Sequence, residues 1–198
     1  MTKLFFALLL IAGSITAQAG NPENGTPYKV KTDESAIAWT GHKVTGQHNG
    51  TIAIKDGSLN INDGILSGGS FTIDMTTISA LDQQGEGKTK LEGHLKSDDF
   101  FGVATYPTST LKITKATAKG NGQYNITADL TIKGITNPVT FDASVKTVSN
   151  QVTATADIKV DRTLYNVRYG SGKFFDNLGD KAIYDEFDLN IKLVATSK

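Results

Sequence analysis

Apolar residues fall at every second position along most of this chain. Tyr124, Ile126, Ala128, Leu130 and Ile132 alternate with Asn125, Thr127, Asp129, Thr131 and Lys133. After Gly134-Ile135-Thr136-Asn137-Pro138 the alternation resumes at Val139, Phe141, Ala143 and Val145. A period of two predicts strands with one buried and one wet face. The same pattern predicts a short opening strand over 28–31, then strands over 36–44, 50–55, 58–62, 67–75, 109–117, 124–132, 139–147, 152–160 and 183–195. The separators are Asn49-Gly50, Lys55-Asp56-Gly57, Asn62-Asp63-Gly64, Gly120-Asn121-Gly122 and Ser149-Asn150. Asn-Gly and Asp-Gly are strong hairpin signals because both residues tolerate positive φ.

The texture changes between Leu81 and Pro107. Leu91 and Leu95 stand at helical spacing, and Ser97-Asp98-Asp99-Phe100-Phe101 reads as an N-cap with acidic first-turn residues. A short helical insert near residues 85–102 is therefore expected, packed at one mouth of the sheet. The segment from Asp161 to Asp180 is rich in Gly, Asn and aromatics and reads as an irregular loop. The expected fold is all-β: about eight antiparallel strands closed into a lipocalin-like barrel. An open sheet of that size exposes long edges, and closure removes them.

Eight strands enclose a space that side chains fill or that holds one slim ligand. Several inward positions are small, namely Ala128, Ala143, Ala154 and Ala156. They make room either for a ligand or for Trp39, Phe71, Phe141 and Phe187 across the barrel. Periodicity leaves both outcomes open.

Composition adds the compartment. Met1-Thr2-Lys3, an apolar run from Leu4 to Ile15 and the small-x-small Ala17-Gln18-Ala19 have the layout of a secretory signal over residues 1–19. The mature domain is then 20–198, periplasmic or secreted. The chain has no cysteine, which excludes disulfides, thiolate metal sites and a cysteine nucleophile. Of 20 Lys+Arg, Lys3 leaves with the leader, against 20 Asp+Glu, so the mature net charge is −1. The charges are interspersed, with no nucleic-acid footprint and no polybasic membrane patch. Oligomeric state, monomer or homodimer, is not readable from the residues.

Several blocks resemble the YceI-like family of exported lipocalin-like barrels. They are Trp39-Thr40-Gly41-His42; His94-Leu95-Lys96-Ser97-Asp98-Asp99-Phe100-Phe101 continuing to Tyr106-Pro107-Thr108; the run Ile126 to Thr136 followed by Pro138-Val139; and Asp161-Arg162-Thr163 with the strand after Ile183. They occur in the expected order across the mature chain. Many members carry Phe-Gly after the arginine, where this chain has Leu164-Tyr165-Asn166-Val167. The resemblance implies an elongated apolar tunnel that binds a polyisoprenoid lipid, such as an isoprenoid quinone or a prenyl pyrophosphate. It implies no required cofactor, and transient membrane contact is compatible with it.

On this reading the tunnel-wall residues are Trp39, Phe71, Ile126, Leu130, Phe141, Phe187 and Leu189, each of which serves equally well as plain barrel core. Phe100, Phe101 and Tyr106 in the insert either gate the mouth or plug it. Arg162 can pair with a pyrophosphate bidentately or brace the barrel end beside Asp161 or Asp185. Tyr165, Arg168 and Lys173 are weaker head-group candidates. Burying a methylene from water yields ~0.8 kcal/mol, but these lipids already reside in a bilayer, so shape and the head-group end must supply selectivity. His42, His48 and His94 lack metal-motif spacing. Enzyme signatures such as Gly-x-Ser-x-Gly or His-Glu-x-x-His are absent, so binding without covalent chemistry is expected. The rivals are an enzyme using the same tunnel on prenyl or quinone substrates, and a filled barrel serving stress response or interaction.

Overall fold

The structure is a computed structural model and describes residues 25–197. The expected signal segment, residues 1–19, lies outside the described residues. The elements are β1 (Thr26–Val30), β2 (Ala36–Lys43), β3 (Gly46–Asn62), β4 (Ile65–Ala80), α1 (Gly85–Lys96), β5 (Thr108–Gly120), β6 (Gln123–Ile132), β7 (Ile135–Val148), β8 (Gln151–Asp161) and β9 (Ile183–Thr196). Short 3-10 turns cover Arg162–Tyr165 and Gly179–Lys181.

Every strand pairing is antiparallel, and the ladder from β2 through β9, β8, β7, β6, β5, β4 and β3 returns to β2. The sheet is a closed eight-stranded barrel. β1 adds no ninth stave. It pairs with β3 at Thr26↔Ile61 and with β9 at Val30↔Ala195, while β2 pairs with the same two strands farther along. The two are one stave, interrupted at Lys31–Ser35. Closure satisfies both edges of each long strand, as the length of the sheet requires.

The period of two is the cause of this architecture. In β6 alternate residues are buried from Tyr124 to Ile132, and β8 buries Val152, Ala154, Ile158 and Val160. Hairpins fall at Asp63-Gly64, Asn121-Gly122 and Lys133-Gly134, each with two successive positive φ angles. That is the turn whose twist matches paired strands.

Three expectations need correction. Asn49-Gly50 and Asp56-Gly57 do not separate strands; both lie inside the 17-residue β3, and the β2–β3 turn is Val44-Thr45. The reason is close approach. A Cβ on Gly50 would stand 1.9 Å from the Ser79 carbonyl oxygen and 2.5 Å from the Trp39 ring, and one on Gly57 would stand 2.7 Å from the Phe71 ring. Glycine here admits neighbouring atoms rather than bending the chain. Secondly, Ser97 closes a helix instead of opening one: its N–H and its Oγ both donate to the His94 carbonyl (3.1 and 2.8 Å). Residues 98–101 are turn, so the helical insert ends at Lys96. Thirdly, β4 runs on to Ala80 through a register break in its pairing with β3, between Ala53↔Asp74 and Thr51↔Ser79. Thr77 fills the break, accepting from the Ala53 N–H (2.9 Å) and donating to the Asp74 carbonyl (2.7 Å). The bulge carries Met75 and Ile78 over the barrel interior.

The two poles differ. One holds α1, the loop 162–182 and the Val44-Thr45 and Lys133-Gly134 turns; we call it the helix pole. The other is packed shut by Tyr28, Ile61, Leu66, Ala116, Val152 and Ala195, all buried. There the Leu66 N–H donates to the Tyr124 hydroxyl (3.2 Å).

Candidate functional site

The barrel is hollow. An apolar cavity of about 200 Å³ runs from Leu59, Leu66 and Leu193 toward the closed pole to Phe100, Phe101 and Ile183 at the helix pole. One water needs roughly 10–15 Å³ on this measure, and an apolar cavity of about 150 Å³ stays dry and takes up benzene. The interior is therefore well beyond a packing defect. Ala143, Ala154 and Ala156 line it, while Ala128 is packed in the wall and wholly buried. Ala143 and Ala156 are register partners on β7 and β8, so one side of the barrel is pared back where the aromatics of the other do not reach. This resolves the alternative that the alternation left open.

All seven expected wall residues, Trp39, Phe71, Ile126, Leu130, Phe141, Phe187 and Leu189, face the cavity. Trp39 is anchored by its Nε1–H on the Thr51 carbonyl (3.2 Å). Of the mouth residues, Phe100, Phe101 and Arg162 line the cavity and Tyr106 and Tyr165 do not. The Phe100 and Phe101 rings meet edge to face at 5.9 Å, and Phe101 meets Phe187 at 6.4 Å. Together with Leu95 of α1 they cover the helix pole. Tyr106 instead sits over the β6–β7 turn, where its ring would be 3.2 Å from a Cβ on Gly134.

Arg162 is 3% exposed. Its Nε donates to the Tyr184 carbonyl (3.0 Å), Nη1 to Val167 (2.9 Å) and Nη2 to Ile183 (2.9 Å). Burial pulls its pKa down from the ordinary guanidinium value, against the raising influence of Asp185 and Asp161. It is a strut that stitches the 162–167 segment to β9, and three of its five N–H groups are spent there. Tyr165 is 1% exposed, among Leu130, Ile132, Ile158 and Val160. Burial, reinforced by Asp161, pushes its hydroxyl up to about 12, and that hydroxyl has no hydrogen-bond partner among the described residues. Lys173 reaches Asp161 (2.7 Å), and Arg168 lies over the Phe174 ring at 4.8 Å.

Sequence reasoning missed part of the wall. Ile78 enters only because β4 bulges, and no periodicity signals that. Ile183 lines the helix-pole end of the cavity from the start of β9, where the alternation carried only Phe187 and later residues. His42 is a hydrogen-bonded imidazole on the outer face, with Nε2 2.7 Å from Oδ2 of Asp188, a carboxylate that Lys159 also reaches at 2.8 Å. Hydrogen bonds from Lys159 and His42 hold the Asp188 carboxyl below the usual carboxylate range. Ser109 Oγ donates to the Thr131 carbonyl (2.6 Å). His48 pairs with Asp82 (2.7 Å), and His94 lies edge-on to Phe100 and Tyr169. Among the described residues no three His, Cys, Asp or Glu side chains converge as a metal site.

A family model described as YceI-like domain matches residues 28–195. The chain belongs to the YceI-like family. A UPF0312 protein of Shewanella denitrificans is 34% identical over 85 residues, 43% of this chain and 42% of the relative. One from Pseudomonas putida is 29% identical over 144 residues, 71% of this chain and 72% of the relative. The match to the Shewanella relative thus spans under half of that protein's length. Among solved structures, Burkholderia cenocepacia BcnA superposes with a TM-score of 0.68 at 22% identity, covering 84% of this chain and 99% of that one. A polyisoprenoid binding domain from Saccharophagus degradans, implicated in plant cell wall breakdown, gives 0.65 at 13% identity, covering 86% and 98%. At these identities the YceI-like barrel itself is what is shared.

Proposed function

We propose that the barrel binds the chain of an isoprenoid lipid without covalent chemistry, sequestering or carrying it in the bacterial envelope. The observation that carries this reading is the cavity: about 200 Å³, closed at one pole, walled almost entirely by hydrocarbon. The solved neighbour described as polyisoprenoid binding and the signal-like leader support it. A filled barrel is disfavoured by the volume itself. For catalysis, a wall nucleophile needs a base within hydrogen-bond reach. Ser109 instead donates to the Thr131 carbonyl, and His42 is held with Asp188 and Lys159 on the outer face.

Of the two head-group chemistries, a neutral one such as a quinone or isoprenol fits better than a pyrophosphate. The cavity's cation, Arg162, is committed to three carbonyls, and Asp185 stands 3.9 Å from its Nη2. A dianion placed there meets a carboxylate and a guanidinium already in use.

Two measurements test the proposal. Native mass spectrometry of protein purified from membrane-containing cells should show a lipid-sized adduct. Delipidated protein should then bind a short-chain ubiquinone more tightly than farnesyl pyrophosphate, read through the fluorescence of Trp39, the single tryptophan of the chain. Adduct-free spectra together with an unresponsive Trp39 would refute isoprenoid binding; tighter pyrophosphate binding would refute the neutral head group alone.

A further inference from the structure

The exposed apolar surface of this barrel is unevenly placed. Among the described residues ten large hydrophobic side chains are exposed: Val44, Leu81, Tyr106, Ile135, Val148, Leu164, Tyr169, Phe174, Phe175 and Tyr184. Nine of them belong to the turns, loops and strand ends of the helix pole. Val148 alone lies at the closed pole. They come from six separate segments, so no single loop accounts for the clustering. Scattered exposed hydrophobics are ordinary, whereas a concentration on one face marks an interaction surface.

The cavity ends at the same pole, where Phe100, Phe101 and Ile183 line it. Tyr184, next to Ile183 on β9, is 54% exposed. The last hydrocarbon of the cavity and the first of the apolar rim are thus neighbours on one strand. Three of the nine are tyrosines, Tyr106, Tyr169 and Tyr184, with an apolar body and a polar tip. Charges of both signs stand among them: Arg168 over the Phe174 ring at 4.8 Å, Lys173 paired with Asp161 (2.7 Å), and Asp176, Asp180 and Lys181 in the same loop. Aromatics interleaved with Arg and Lys have the composition of a membrane–water interface belt. A rim of separate loop tips around an opening suits a fluid surface better than the flat, matched patch that two protein copies need.

We infer that the helix pole is a bilayer-docking face, which seats Leu164, Tyr169, Phe174, Phe175 and Tyr184 among lipid headgroups so that the cavity opens onto the acyl phase. The inference rests on the isoprenoid reading, because a cavity whose ligand lives in a membrane needs a route that keeps the ligand's chain out of water. Docking uses the outer rim and not the cavity wall, so the two are separable by experiment.

The test is co-sedimentation with isoprenoid-free vesicles of pure phosphatidylcholine and of phosphatidylcholine with phosphatidylglycerol. The protein taken for this starts at Gly20, the expected mature start, and so retains every strand and helix of the closed barrel. It should pellet with both vesicle types, since the apolar rim and not net charge drives docking. Phe175→Ser and Leu164→Ser, at separate points of the 162–182 loop and off the cavity wall, should each weaken partitioning several-fold, and together by at least tenfold. Val148→Ser at the closed pole should leave it unchanged. Binding of geranylgeraniol, read on Trp39 without vesicles, should be the same in all of these variants. Loss of that binding in every protein, with vesicle binding intact, would strike the ligand reading and spare the docking face. The inference is overturned if the unmodified protein stays in the supernatant, or if the double variant pellets equally well. It is also overturned if sedimentation velocity shows a dimer that the double variant dissociates, since the rim would then be a contact between copies.

Discussion

Ala156→Leu separates a hollow barrel from a filled one by the sign of its effect. Ala156 lies on the cavity wall, opposite Ala143 and Ile191 in the ladder. Leucine adds three carbon atoms that point into empty, apolar space. At ~0.8 kcal/mol per buried methylene the gross gain is about 2.4 kcal/mol. Fixing the leucine rotamer costs about 0.5–1 kcal/mol, which leaves a net stabilisation of about 1.5 kcal/mol. For a domain of this size that raises the melting temperature by roughly 3–6 °C. A ligand chain displaced from the same volume loses a comparable gross contact, about 2.4 kcal/mol, or roughly fifty-fold in affinity. Thermal unfolding of delipidated protein by circular dichroism gives the first quantity, and titration of a short-chain ubiquinone on Trp39 fluorescence gives the second. The variant should therefore be more stable and bind worse. A solid core would answer differently: three extra carbons in a packed interior cost about 1–3 kcal/mol. Destabilisation of that size would refute the reasoning, and so would unchanged affinity in a stabilised protein.

Other substitutions probe the frame around the cavity. Gly50→Ala should cost about 3 kcal/mol or more, because its Cβ would overlap the Ser79 carbonyl and push the Trp39 ring; chemical denaturation checks this, and a shifted Trp39 emission maximum should accompany it. Arg162→Ala should lower stability by about 3 kcal/mol, since three carbonyls and Asp185 lose their buried partner, while the relative affinities for quinone and prenyl pyrophosphate stay as in the parent. Asp82 is disfavoured as an anion by burial, but hydrogen bonds from Gln83, His48 and the Asn49 N–H outweigh this and hold its carboxyl well below the usual range. A depressed folded-state value means that its contribution is present above the unfolded carboxylate pKa near ~3.9 and fades as the pH falls toward the folded value. Asp82→Asn should therefore flatten the decline of melting temperature below pH ~4 and lower the melting temperature modestly at pH 7, as scanning calorimetry across pH would show.

Much of this molecule was legible because strand periodicity is a direct imprint of burial. The run from Tyr124 to Ile132 needed no tertiary information, and the seven wall residues followed from alternation and size. Most of the failures trace to contact between segments distant in sequence, and one is local. Asn49-Gly50 carries the local signature of a turn, yet what decides its conformation is the Trp39 ring and the Ser79 carbonyl lying against it. Ser97 has the residues of an N-cap after it, but the helix before it claims its hydroxyl. For Arg162 a phosphate partner and a brace both stayed open, because its partners are main-chain carbonyls at Val167, Ile183 and Tyr184, which leave no mark on side-chain identity. Whether small inward residues leave a void or are filled from across the barrel is a sum over every stave at once. No window of sequence contains that sum.

The seal at the closed pole, where the Tyr124 hydroxyl takes the Leu66 N–H amid packed side chains, makes the hollow a blind sleeve. A guest can leave only by the door it came in through, in reverse order, last atom in first out. The sleeve also has a floor, so it measures: a chain that touches bottom early leaves its end group at a fixed height, and a longer one must protrude or fold back. Occupancy should consequently peak at one number of repeating units and fall on either side of it. A pipe open at both ends would have no such preference.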